Sequence, residues 1–443
     1  MQRRRACGLG PEQSAGCAPP PAPELPAVLS DSNSVKLKSD HSPPVQWCKV
    51  AAREDEKTKL VFKRILALFV LGGCFLYILK LHLEPEECDR TKMPYVDLGR
   101  VKPVSQSALP CSCSAVFGIT GQMSKKRAQQ FASAVLQEQC RPSYAKKKMR
   151  KLFAEKYSMD ISPFVRKNMN EDEALFKYEP PFGFHKFSDK LKDLLELLPE
   201  HDLPEELKSK HCKRCVVVGS GGILHGSELG HLLNQFDIVI RLNDAPVQGY
   251  ADHVGNKTTI RMTYPEGAPL SEHEYPPASL FVAVLFKGVD FNWLQAMVKN
   301  ETLPLWARLF FWKEVAEKIP FTSKQFRILN PVVIKETALD ILQFPEPRSK
   351  FWGWDKNVPT IGVTAVVLAT HLCDEVSLAG FGYDLDQPST PLHYYNNLCM
   401  AAMKEQTMHN VTSETKFLQK LIKEKVVKDL TGGIHCEFCS KDS

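Results

Sequence analysis

Four groups of residues in this 443-residue chain have types and spacings that could do chemistry. Gly219-Ser220-Gly221-Gly222 follows Cys215-Val216-Val217-Val218, an apolar run that reads as a buried strand. A glycine turn after a strand can aim backbone N–H groups at a phosphate. A dinucleotide fingerprint would need a third glycine at position 224, which is Leu224, so nicotinamide oxidoreduction is disfavoured. Asp384-Leu385-Asp386 has the Asp-x-Asp form that holds a divalent ion against a diphosphate, although short acidic pairs are common in loops. Cys212-x-x-Cys215 and Cys436-x-x-Cys439 read either as a four-thiolate zinc site or as disulfides. Their wide separation makes zinc the less distinctive reading. Asn256, Asn300 and Asn410 each head an Asn-x-Thr sequon and are candidate glycosylation sites.

These groups need a scaffold, and the patterning around them supplies one. Strand-like runs cover 215–218, 236–242, 280–286 and 376–381, with a helical stretch from about Gly362 to Cys373 before the last. Strands separated by helices indicate an α/β domain, a mainly parallel sheet flanked by helices. Such sheets bind ligands at the carboxyl ends of their strands, which is where the glycine turn lies.

Composition narrows the class. At 43% hydrophobic and 24% charged residues, neither a fully disordered chain nor a multi-span membrane protein fits. A net charge of +6 is too mild to indicate a nucleic-acid partner. One local feature is sharp: Ile65 to Leu79 carries no charge, with further apolar residues on both sides. Residues 60–83 therefore read as a single-pass anchor whose flanking Lys63, Arg64 and Lys80 snorkel. Basic residues precede the span and acidic ones follow it, so the N-terminus stays cytoplasmic and the bulk is translocated. Most of the 14 cysteines and all three sequons lie beyond it, where oxidation is permitted. The expected order is a disordered tail at 1–59, the anchor at 60–83, a stem at 84–139 and a catalytic domain at 140–443. Arg3-Arg4-Arg5 reads as a solvated charge run, with an endoplasmic-reticulum retrieval signal as the alternative.

Longer blocks carry a family resemblance. The segment 215–259 contains Arg241-Leu242-Asn243-Asp244-Ala245-Pro246 and Val254-Gly255-Asn256-Lys257-Thr258, and resembles the large motif of the eukaryotic sialyltransferase family. Pro359 to Gly382 resembles its small motif, His393-Tyr394-Tyr395-Asn396 its third, and His409 to Glu414 the His-x4-Glu of its very small motif. The resemblance implies a Rossmann-like variant of the glycosyltransferase A fold, a Golgi type II membrane protein, and CMP-sialic acid as donor. It implies His409 as the base that deprotonates the acceptor hydroxyl and His393 as a hydrogen-bond donor to the CMP phosphate. Ser220, Gly221, Asn243, Thr360 and Gly362 would hold the nucleotide. The 413–423 stretch reads as an amphipathic helix, placing His409 just before a positive helix end that favours neutral imidazole. Cys215 would pair with Cys373, and Cys212 with a stem cysteine such as Cys113. CMP carries one phosphate, so no cofactor or metal is expected. Overall likeness to the α-2,3 branch implies the 3-position of the terminal galactose of lactosylceramide as acceptor, in ganglioside synthesis. Glycoprotein galactose, or a non-catalytic sugar-nucleotide-binding protein on the same fold, are the alternatives. A homo-oligomer or a complex with other glycosyltransferases is left open. The chain departs from the family pattern at Ser220, where Asn is common, and at His253, where Asp is common.

Overall fold

The computed structural model describes residues 122–169, 173–346, 358–383, 386–405 and 408–439. These belong to one unit spanning Val104–Ser443. The tail at 1–59 and the apolar run at 60–83 lie outside the described residues. No helix among the described residues is long and apolar enough to cross a membrane.

Seven parallel strands form one sheet: β1 (Arg214–Val218), β2 (Ile238–Leu242), β3 (Ile260–Thr263), β4 (Leu280–Ala283), β5 (Phe326–Ile328), β6 (Glu375–Ala379) and β7 (Val427–Asp429). Their order is β5-β4-β3-β2-β1-β6-β7. The helices that matter most are α1 (Gln122–Gln137), α2 (Tyr144–Phe153), α3 (Ser188–Leu197), α4 (Gly288–Lys299), α5 (Ile361–Leu372) and α6 (Val411–Lys423). A parallel sheet is covered on both faces, so its strands are buried on both sides; β2, β3 and β4 are buried throughout. Strand alternation sorts the side chains. Val217, Ile240, Met262 and Val282 pack with α5 and α6, whereas Val216, Val218 and Val239 face Leu224, Leu229 and Leu233. Phe281, Ala283 and Phe326 join the α3 and α4 side chains Leu191, Leu194 and Trp293 in another cluster. Every α5 residue from Val363 to Leu372 is buried, which explains why the sequence shows it as a nearly continuous apolar run.

The strand order decides where a ligand goes. From β1 the chain moves outward through β2 to β5, then crosses back to place β6 on the other side of β1. The carboxyl ends of β1 and β6 therefore flank a topological switch point, where open α/β sheets leave a crevice.

Several expectations are corrected. Within the expected stem at 84–139, α1 begins at Gln122 and buries Ala128, Ala132 and Val135 against the folded body. β4 ends at Ala283 rather than continuing to Phe286, and β3, β5 and β7 add to the expected strands. The disulfide Cys215–Cys373 is formed, joining the start of β1 to the end of α5. Cys212 pairs with Cys140, just after α1, and not with Cys113, which lies outside the described residues. Cys436 and Cys439 are bonded to each other. All four sulfurs of the zinc reading are thus oxidised, and that reading falls.

Candidate active site

A cavity of about 790 Å³ opens at the switch point. Its first wall is the turn after β1. Gly219 and Gly221 lie so close to the turn after β6 that a Cβ on either would sit 2.5 or 2.6 Å from the Gly380 carbonyl oxygen. Gly222 meets the Pro391 carbonyl in the same way, at 2.4 Å. These glycines are needed first for the close passage of two backbones, and only then can the turn line a ligand site. The Gly221 and Gly222 N–H groups are taken by Gly380 and Leu392 carbonyls.

The second wall is the loop after β2. Asn243 adopts a left-handed φ of 49°, a conformation that asparagine tolerates better than most residues. Arg261, fully buried on β3, donates to the Asn243 and Ala245 carbonyls and pairs with Glu274 at 2.9 Å. Glu274 in turn accepts from the Val247 and Gln248 N–H groups. Tyr394 donates its hydroxyl to the Pro246 carbonyl at 2.6 Å. The Arg261–Glu274 pair and Tyr394 thus brace this loop from 243 to 248, and Asn243 with it.

The third wall is the N-terminus of α5. The Thr360 side chain caps the helix by accepting from Val363 N–H, and its own hydroxyl donates to Glu414 at 2.6 Å. The Thr360 N–H donates to the other Glu414 oxygen at 2.9 Å. Thr360 lines the cavity as part of the turn expected to hold the nucleotide, and its hydroxyl is engaged by Glu414 and the helix cap. Ile361 and Gly362 line the cavity, and as the first residues of a helix their N–H groups have no intrahelical acceptor. Such a helix end favours an anion.

The two histidines face this space in opposite tautomers. The His409 Nδ1–H donates to the Val358 carbonyl at 2.8 Å, which leaves Nε2 as its basic nitrogen. Burial pulls its pKa below the usual histidine value, and the Val358 bond opposes this in part. His393 sits on the strand-like bridge opposite Gly221 and stacks on Tyr395 at 5.1 Å. The Asn396 amide accepts from Leu398 N–H through its oxygen, which fixes the amide so that its nitrogen donates to His393 Nδ1 at 3.0 Å. The hydrogen of neutral His393 is therefore on Nε2. Burial lowers its pKa as well, opposed in part by the nearby Asp244 charge.

Ser220, Gly221, Asn243, Thr360, Gly362, His393 and His409 all line this one cavity. Asp386 does not line it, and Asp384 lies outside the described residues. Among the described residues there is no cluster of three or more His, Cys, Asp or Glu able to hold a metal. His253 lies away from the cavity, in a short helix beside the His225 ring. Asn256 and Asn300 are exposed, whereas Asn410 caps α6 by accepting from Ser413 N–H. Sequence reasoning gave no role to Glu414, although it quoted the motif that ends on it. It also missed Lys287, which lines the cavity and contacts buried Glu266 and Asp290 at 2.5 and 3.3 Å, because nothing in the local pattern separates it from a surface lysine. Phe310 and Trp312 were missed too, in an aromatic run without strand or helix period.

A parallel α/β sheet with its crevice at the switch point is the setting of many group transferases, and this chain is a glycosyltransferase. More narrowly, residues 164–426 match glycosyltransferase family 29 (sialyltransferase), and the chain belongs to that family. It is 64% identical over 420 residues to lactosylceramide alpha-2,3-sialyltransferase of Homo sapiens, covering 94% of this chain and 95% of that one. The Bos taurus protein of the same name is 60% identical over 446 residues, covering 98% and 100%. CMP-N-acetylneuraminate-beta-1,4-galactoside alpha-2,3-sialyltransferase of Mus musculus is 42% identical over 295 residues, covering 67% and 78%.

Proposed function

We propose that this chain transfers sialic acid from CMP-sialic acid to the 3-hydroxyl of the terminal galactose of lactosylceramide, inverting the anomeric carbon. The observation that carries the reading is the pair of half-buried histidines with opposite tautomers in one crevice. The galactose oxygen attacks C2 of the sialic acid while its proton passes to His409 Nε2. The bond from C2 to the CMP phosphate oxygen breaks, and CMP leaves with the electron pair. Burial keeps His409 neutral before the step, and the Val358 carbonyl on Nδ1–H stabilises the imidazolium that forms. The departing phosphate takes the Nε2–H of His393 and the free N–H groups at the start of α5. Ser220 and Asn243 hold the nucleoside. The sheet, in this reading, is a Rossmann-like variant of the glycosyltransferase A fold.

A single phosphate needs no divalent ion to leave when such donors surround it, so the reading assigns no metal and gives Asp386 no part in it. The lipid acceptor is supported by 64% identity over nearly the whole chain to a relative of that name, against 42% over a shorter span for the galactoside enzyme. Three disulfides among the described residues support an oxidising compartment. The reading therefore places this part on the lumenal side of the Golgi membrane, behind an anchor at 60–83.

The test offers labelled CMP-sialic acid to the full chain in chelator, with lactosylceramide, free lactose and a desialylated glycoprotein side by side. Transfer to lactosylceramide that disappears in His409→Ala, with CMP binding retained, is the expected result. Transfer mainly to glycoprotein would overturn the acceptor. Loss of activity in chelator would overturn the metal-free step. An unchanged rate in His409→Ala would remove the base.

A further inference from the structure

Large apolar side chains that stay exposed gather in one short stretch. Leu305, Trp306, Leu309, Phe310 and Trp312 are 79, 55, 85, 64 and 73% exposed. Isolated exposed apolar residues are ordinary on a protein surface, but a contiguous group marks an interaction site. The stretch is pinned to the core. Leu303 and Ala307 are buried beneath it, and the Trp293 indole N–H donates to the Ala316 carbonyl at 2.9 Å just beyond it. The turn Leu305–Arg308 buries Ala307 while leaving Leu305 and Trp306 outside, and Trp306 meets Phe310 edge-on at 6.3 Å. The ridge is thus a built feature that holds its aromatic side chains away from the core.

Its position ties it to the active-site crevice. Phe310 and Trp312 line that cavity as well as standing exposed, so the apolar surface runs from the ridge into the site. Lys313 pairs with Asp244 at 2.8 Å, joining the ridge to the loop that carries Asn243. Charge then narrows the occupant. Arg308, Lys313 and Lys318 beside the ridge are matched by Glu317, Asp244 and Glu272, so the apolar area has no uncompensated basic border. Tryptophan suits the boundary between headgroups and acyl chains, and a surface without excess positive charge suits a zwitterionic bilayer over an anionic one.

We propose that the 305–312 ridge seats in the surface of a zwitterionic lipid bilayer and brings the crevice down to the glycan of an acceptor embedded there. The proposal rests on the lactosylceramide reading for its acceptor. The two hydrocarbon chains of that acceptor stay in the membrane, so only its short sugar head is available and the crevice must come to it. An acceptor free in solution makes no such demand.

The test uses the full chain reconstituted in phosphatidylcholine vesicles, with lactosylceramide in the same bilayer or a water-soluble aryl lactoside outside it. The variant is Leu305→Ser with Trp306→Ser and Leu309→Ser, three residues that do not line the cavity. Its kcat/KM should fall at least tenfold on bilayer lactosylceramide and stay within twofold on the soluble lactoside. In vesicles of brominated phosphatidylcholine, tryptophan fluorescence should be quenched in the parent chain and less so in Trp306→Ser. Equal rates on bilayer lactosylceramide, equal losses on both acceptors, or unchanged quenching would overturn the proposal. A smaller oligomer in the variant would also overturn it, by placing a second copy of the chain on the ridge. If the parent chain sialylates the soluble lactoside but never lactosylceramide, the acceptor reading fails instead, and the quenching alone decides the ridge.

Discussion

Replacing Glu414 with Gln should make the protein more stable at neutral and alkaline pH, by an amount that depends on pH in a defined way. Glu414 is 3% exposed, and its oxygens accept from Thr360 N–H at 2.9 Å and Thr360 O–H at 2.6 Å. Burial outweighs those two bonds and pushes the carboxyl up from 4.5 to about 7. The folded state therefore holds this proton more tightly than the unfolded chain does. Stability from Glu414 is complete below pH 4.5, where both states are protonated. It is lost as pH rises through about 7, and above that it stays lost. A rise of roughly 2.5 units corresponds to about 3 kcal/mol. Glutamine keeps the shape and one acceptor oxygen for Thr360 N–H, and its amide can donate to the Thr360 hydroxyl. It cannot ionise. The stability gap between Glu414→Gln and the parent should therefore widen by about 3 kcal/mol between pH 4.5 and 8, a shift of several degrees in melting temperature. Thermal unfolding of the detergent-solubilised chain, followed by intrinsic fluorescence at several pH values, measures it. Histidines titrate in both proteins and cancel in the difference. A gap that stays flat across this range would refute the reasoning, because it would mean that Glu414 is ionised in the folded protein at every pH tested.

Other outcomes follow from the same geometry. Because burial lowers the His409 pKa, its neutral form persists below pH 6.5, so the acid limb of kcat/KM should fall below that value; a limb at 7 or above contradicts the assignment. Asn396→Leu removes the donor that fixes the His393 tautomer, and CMP affinity measured by calorimetry should weaken roughly tenfold, about 1.4 kcal/mol. An unchanged Kd would show that His393 does not need this partner. Cys215→Ser with Cys373→Ser unlinks β1 from α5 and should destabilise the fold by roughly 2–5 kcal/mol in thermal unfolding. An unaltered melting temperature would count against any stabilising role for that bridge.

The fold was legible where burial wrote itself as hydrophobicity. β1 and β2 are Val- and Ile-rich because both faces of the sheet are covered, and α5 is visible because it is buried all round. β3 and β7 were hidden for the opposite reason. Their short runs, Ile-Arg-Met-Thr and Val-Lys-Asp, place charges where a periodicity argument expects apolar side chains. α1 lies within the expected stem, and its packed face is hard to see in the sequence because Ala128 and Ala132 stand among basic residues. The site was legible at its histidines and its glycine turn, since motif order marks them. What each does could not be read there. Thr360 is marked by its motif as a nucleotide-holding residue, and only the structure shows it as a helix cap bound to Glu414.

The hidden charges are also what build the site. Arg261 on β3 takes the carbonyls of the Asn243 loop, and its partner Glu274 takes that loop's N–H groups. Asp429 on β7 is fully buried and accepts from the N–H groups of Thr431, Gly432, Ile434 and His435, shaping the turn that carries Ile434 to the cavity. Glu414 fastens the starts of α5 and α6 together, and with them the segment that bears His409. The Asn243 loop, the turn at 431–435 and the segment before α5 are thus irregular backbone, whose polar groups would be costly to bury unpaired, satisfied in each case by a charged side chain from or beside a regular element. Hydrophobic patterning scores those residues as surface, although they determine the positions of the groups that line the crevice. In β3 and β7 the charged residues therefore point to the loops of the ligand site, whereas Arg327 in β5 binds the Asp202 and Lys324 carbonyls, away from the crevice.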